Sequence, residues 1–227
     1  MITERSTEQT IKLYYDLYVP DGLPDRPVPM FVALHGYEGS KESMMSLAQR
    51  INSRDFIIAS VQGPSSFFVR EPEEQTRPRI GFGWMMQYKA EDTISLHHRT
   101  VLSVIEETAS TYAIDRGSIF LLAFSQTVSL NYRFAFTHPG MIRGVIAVCG
   151  GIPGDWIEDK YHVSDTDVLI IAGETDDFYP IERTRTFKDE IERRARSVEF
   201  LSFPAGHVFP RELLPVINDW LSERVKG

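Results

Sequence analysis

SIFLLAFSQT, residues 118–127, carries an unbroken apolar run from Ile119 to Phe124 straight into a serine. A short continuous run of this kind predicts a strand over 118–124 that is buried on both faces of a sheet. The spacing beyond it predicts a helix over 125–137, so Ser125 sits where a strand gives way to a helix with no loop between. That context is a nucleophile elbow: the serine hydroxyl projects above the sheet, and the helix start behind it offers backbone N–H groups and a partial positive charge. The plainer reading is an ordinary helix N-cap serine. The elbow pattern is G-x-S-x-G, because side chains two residues either side crowd the strained turn. Here those positions hold Ala123 and the β-branched Thr127.

Outward from this junction the same alternation recurs. Residues 11–19 read as an early strand ending at Pro20, 21–29 as a turn, and PMFVALH, 29–35, as the next strand. Residues 41–53 place Met44, Leu47, Ala48 and Ile51 on one helical face, and 56–61 form a short buried strand. Further on come a helix over 90–112, strands over 144–149 and 167–172, a charged helix over 181–195, a strand over 198–203 and a closing helix over 212–225. Strands alternating with helices predict an α/β fold: a mostly parallel central sheet with helices on both faces, and a minimal cap domain or none is expected. The chain is expected to form a single domain over 1–227. Residues 62–89 break the rhythm with Pro64, Pro72, Pro78, Gly63, Gly81 and Gly83, and are too long for an ordinary connection. The aromatics Phe67, Phe68, Phe82, Trp84 and Tyr88 argue that this stretch is an ordered loop near the active site.

Composition narrows the partners. The 227 residues include 24 Lys and Arg against 32 Asp and Glu, a net charge of −8, which repels a phosphate backbone and argues against nucleic-acid binding. No apolar run approaches the roughly 20 residues of a membrane helix, and MITERSTEQT has no hydrophobic signal core. The single cysteine, Cys149, cannot form an internal disulfide, and no CxxC or CxxH spacing suggests structural zinc. A cytoplasmic location is the expectation.

Three further segments complete a constellation. LHGYEG, 34–39, ends the strand after the early hairpin, where a second oxyanion donor belongs; the N–H groups of Tyr37 and Gln126 are the expected pair. The alternative is a simple glycine turn, and the His35 ring is read as holding that loop by hydrogen bonds. Asp176 follows the strand DVLIIAG and His207 follows VEFLSF. A serine, an aspartate and a histidine in that order, each just past a strand, are the parts of a catalytic triad.

At these residues the chain resembles the phospholipase/carboxylesterase family of α/β hydrolases, which includes bacterial carboxylesterases and acyl-protein thioesterases. The likeness runs through LHGYEG, AFSQT, the stretch Cys149-Gly150-Gly151-Ile152-Pro153, the acid motif Gly173-Glu174-Thr175-Asp176-Asp177-Phe178-Tyr179-Pro180, and Ala205-Gly206-His207. Trp84 looks like the tryptophan of that family's W-Y-D stretch. The acid motif selects Asp176, with Asp177 as the alternative. Thr127 and Val128 replace usually small residues, and Tyr37 is bulkier than the common leucine.

The resemblance implies a serine hydrolase of carboxylic esters or thioesters with small to medium acyl groups. It works through Ser125, Asp176 and His207 and an acyl-enzyme, with no metal and no cofactor. Trp84, Ile152 and Phe178 are the expected substrate-binding residues, with Met85, Met86 and Trp156 among further apolar candidates, and a homodimer is the family-level expectation. Two other readings stand beside it: a peptidase or carbon–carbon hydrolase on the same fold, and a non-catalytic binding protein, motivated by Thr127 and Val128. Cys149 is read as a buried strand residue, His97-His98 as a surface pair, and 190–196 as a solvated helical face. Gly81-Phe82-Gly83 lacks the flanking strand and helix of a dinucleotide loop.

Overall fold

Every residue of Val28–Leu34, strand β2, is buried, which places it at the centre of a sheet with neighbours on both edges and helices over both faces. The computed structural model describes residues 1–69, 79–84 and 88–225. Before β2 comes β1 (Tyr15–Tyr18); after it come α1 (Lys41–Asn52) and β3 (Ile57–Val61). A hairpin of β4 (Ser65–Val69) and β5 (Arg79–Gly83) leads to α2 (Ala90–Thr111), β6 (Ile114–Phe124) and α3 (Gln126–Thr137). The chain closes with β7 (Gly144–Val148), β8 (Asp167–Gly173), α4 (Ile181–Glu192), β9 (Ser197–Phe203), a 3-10 turn (Arg211–Leu213) and α5 (Leu214–Val225).

The seven-stranded sheet has the order β1-β3-β2-β6-β7-β8-β9. Only β1 runs antiparallel, against β3; the other neighbours are parallel. Successive β2 residues point to opposite faces. Met30, Val32 and Leu34 join the core under α2, α3 and α4, while Phe31 and Ala33 join the core under α1 and α5. Each fully buried aliphatic or aromatic side chain in these layers contributes on the order of 1.5–3 kcal/mol.

Strand order reverses at β2. The chain steps from β2 outward to β3, then returns to lay β6 on the opposite side of β2. The helices that follow β2 and β6 therefore pack on opposite faces of the sheet, and in open α/β sheets ligands usually bind beside the carboxyl ends of the strands at such a point.

The structure differs from the sequence reading at three places. The edge strand β1 begins at Tyr15 rather than near residue 11. The stretch expected as a loop contains the β4–β5 hairpin, whose glycines mark close backbone approach: a Cβ on Gly81 would lie 3.1 Å from Glu38 Cα. His97, expected on the surface, is fully buried because it shares a helical face with Ile94 and Val101. His98 stacks edge-on between Phe134 and His138. Among the described residues no helix is long and apolar enough to cross a membrane.

Candidate active site

Ser125 connects β6 to α3 with φ 57° and ψ −113°. A non-glycine residue in this region costs on the order of 1–3 kcal/mol and persists only where its surroundings enforce it. The Ser125 N–H donates to Val148 O at 2.9 Å, and the Val128 N–H donates to Ser125 O at 3.1 Å, so bonds on both sides hold the turn. The larger residues after the serine have matching space. Val128 packs where Gly150 has no side chain, since a Cβ there would stand 2.4 Å from Val128 Cβ. Thr127 is buried, with its hydroxyl bonded to two carbonyls.

The Ser125 hydroxyl lies 2.8 Å from His207 Nε2, and His207 Nδ1 lies 2.8 Å from Asp176 Oδ2. A carboxylate only accepts, so Nδ1 carries the ring proton and Nε2 is left to accept from the serine. The other oxygen, Asp176 Oδ1, accepts from the N–H groups of Phe178 and Tyr179, both at 2.9 Å. The Asp176 side chain is wholly buried, whereas Asp177 is exposed. His207 is packed among three rings: Phe178 at 4.8 Å between centroids, Phe124 at 5.1 Å and Tyr179 at 5.8 Å. Burial and the Asp176 charge raise the Tyr179 phenol above its ordinary value.

Leu34 ends β2, and the HGYEG turn runs directly over the elbow. A Cβ on Gly36 would meet Phe124 O at 3.0 Å and Ser125 Cβ at 3.1 Å, so only glycine lets the two backbones approach this closely. His35 Nδ1 donates to Gly36 O at 2.7 Å, while its Nε2 meets the Gly63 N–H and the Gln62 amide, both at 2.8 Å. Burial lowers the His35 pKa, which favours the neutral ring this network uses. Gln126 extends the tie: its Oε1 accepts from the Trp84 N–H at 2.7 Å.

A cleft of about 840 Å³ opens above the serine, lined by Tyr37, Glu38, Phe124, Ser125, Gln126, Ser129, Phe178, Tyr179 and His207. Of the three expected substrate-binding residues, Phe178 lines it and is exposed. Trp84 is instead fully buried and meets His97 edge-on, and Ile152 packs partly buried against the core. Met85 and Met86 lie outside the described residues. Sequence reasoning passed over Tyr179 and Glu38, although each adjoins a residue it had singled out.

Cys149, expected within a strand, is buried one residue beyond β7 with φ 48°. That is the same carboxyl edge of the sheet that carries Ser125, Asp176 and His207, and this shared edge was a usable signal. Ligand-capable atoms of Cys149, Asp176 and His207 lie within 4.8 Å of one another, the one such group among the described residues. Burial pushes the thiol up to about 12, and its Sγ donates to Val208 O at 3.5 Å. A metal there would have to displace the thiol proton and the His207 Nδ1 proton, both of which are held in hydrogen bonds, to Val208 O and to Asp176.

A sequence model of the family described as Phospholipase/Carboxylesterase matches residues 24–224. The chain belongs to the phospholipase/carboxylesterase family. Membership makes it an esterase-type hydrolase, and solved structures agree on the fold of this family member. A Mesorhizobium loti carboxylesterase superposes with a TM-score of 0.72 at 20% identity, covering 92% of this chain and 94% of that one. For a Bacillus cereus carboxylesterase the values are 0.71 and 18%, over 93% and 94% of the two chains. A phospholipase/carboxylesterase from Dyadobacter fermentans gives 0.67 and 19%, over 95% and 99%. No curated protein sequence matches this chain.

Proposed function

We propose that this protein is a serine hydrolase that cleaves carboxylic esters or thioesters of small to medium acyl groups through a Ser125–His207–Asp176 triad. The observation that carries the reading is the unbroken pair of 2.8 Å contacts from Ser125 Oγ to His207 Nε2 and from His207 Nδ1 to Asp176, set on a strained turn beneath an open cleft.

In this mechanism His207 Nε2 takes the Ser125 proton as Oγ attacks the ester carbonyl, and Asp176 holds the ring orientation and stabilises the imidazolium. The N–H groups of Tyr37 and Gln126 receive the developing oxyanion; losing one such donor typically costs about 10²–10³-fold in kcat. His207 then protonates the departing alcohol or thiol. It next takes a proton from water as that water attacks the acyl-enzyme, and the acid leaves with Ser125 restored. Tyr37, Phe124 and Phe178 give the cleft aromatic walls that suit an apolar acyl or aryl group.

A fluorophosphonate probe tests the nucleophile. Mass spectrometry should find one adduct, on the peptide containing Ser125, and none in Ser125→Ala. A folded wild type that stays unlabelled would favour the reading as a binding protein.

A further inference from the structure

Thr127 stands where the elbow pattern has glycine, and its side chain is fully buried. Its hydroxyl donates to Leu34 O at 3.0 Å and to Phe124 O at 3.2 Å. The bond to Phe124, three residues back, is one that a threonine in a first helical turn often makes. The bond to Leu34 spans 93 residues of sequence and joins two different segments.

Those segments are the ones that carry the oxyanion donors. Leu34 is the last residue of β2, three before Tyr37, and Phe124 is the last of β6, two before Gln126. The β2–β6 ladder has its final pair at Leu34 and Ala123, so strand pairing stops holding the two together just before the site. The Thr127 hydroxyl bridges them at that point. A single proton shared between two carbonyls, one from each segment, fixes their spacing in a way glycine cannot.

We propose that Thr127 is a positioning residue: its hydroxyl ties the oxyanion loop to the nucleophile elbow and sets the distance between the Tyr37 and Gln126 N–H groups. The proposal rests on the reading of Ser125 as nucleophile. Donors for an oxyanion work over a narrow distance range, and small misplacements at a reacting centre are costly in rate.

Thr127→Val keeps the volume and removes the donor, while Thr127→Ser keeps the donor and removes a methyl. Each is compared with wild type and Ser125→Ala on p-nitrophenyl butyrate, with melting curves as a folding control and Thr127→Ala used should valine fail to fold. Amide exchange is followed across residues 35–39. In Thr127→Val, kcat should fall about tenfold with KM within about twofold, and exchange should quicken. Thr127→Ser should recover most of both. A folded Thr127→Val with wild-type kcat overturns the proposal. Should the wild type itself not exceed Ser125→Ala, the nucleophile reading fails separately, and unchanged exchange in the valine variant then removes the tie as well.

Discussion

Gly173 and Gly206 are packed backbone to backbone: a Cβ on Gly173 would stand 2.5 Å from Gly206 O and 2.6 Å from Ala205 O. The contact joins the turn that carries Asp176 to the turn that carries His207. The Thr175 N–H donates to Ala205 O at 3.1 Å beside it. Gly173→Ala should therefore push the two turns apart. Overpacking of this kind costs about 1–3 kcal/mol, and for a chain of this length about 2–4 °C of Tm per kcal/mol. Thermal melts should show that loss together with reduced kcat on short esters. An alanine variant as stable and active as wild type would mean the contact sets nothing.

Asp176 and Asp177 are adjacent in sequence yet opposite in environment. Asp176→Asn should lower kcat by about 10³–10⁴-fold, because the amide no longer fixes the imidazole tautomer. Asp177→Asn, at an exposed position, should stay within about twofold of wild type. Steady-state kinetics on one p-nitrophenyl ester checks both, and a reversed pattern would reassign the acid.

Phe178 and Ile152 separate a cleft wall from core packing. Phe178 lines the cleft and covers His207, while Ile152 packs against the core. Phe178→Ala should raise KM for longer acyl chains by several-fold and shift Tm little, since exposed substitutions usually stay within about 0.5 kcal/mol. Ile152→Val should leave the chain-length profile unchanged. A profile that moves with Ile152 and ignores Phe178 would place the acyl group elsewhere.

Acid should weaken the fold through the buried histidines. Burial pushes His97 down to about 3 and His98 to about 4, the latter also through the neighbouring His138. Unfolded histidine titrates near 6.5. Between that value and the folded pKa the unfolded chain binds protons that the folded chain refuses, so stability is full above pH 6.5 and falls as pH drops toward 4. For His97 the slope is roughly 1 kcal/mol per pH unit. Urea midpoints measured from pH 7.5 to 4.5 should decline for the wild type and less steeply for His97→Phe. Parallel curves would exclude His97 as the cause.

The residues at strand ends were legible in the sequence through local signals: an apolar run passes directly into His35 after Leu34 and into Ser125 after Phe124, and Asp176 and His207 stand three and four residues past the strands that end at Gly173 and Phe203. The 3.6-residue pattern also placed the helices to within a few residues. What escaped depends on contacts distant in sequence. Gly81 weakens a strand pattern, and the close approach of Val69, Glu38 and Phe67 in the fold explains it. Trp84 reads as a pocket aromatic until His97, on another element, draws it into the core. Thr127 reads as a misfit until Leu34, which packs beside it only in the fold, supplies a partner for its hydroxyl.

Hydrolysis of p-nitrophenyl butyrate by the wild type beside Ser125→Ala, Asp176→Asn and His207→Ala tests the central claim most directly. The account predicts turnover in the wild type and a loss of about 10³-fold or more in each variant. A wild type no faster than Ser125→Ala on this ester, or on the acetate and octanoate, would contradict it.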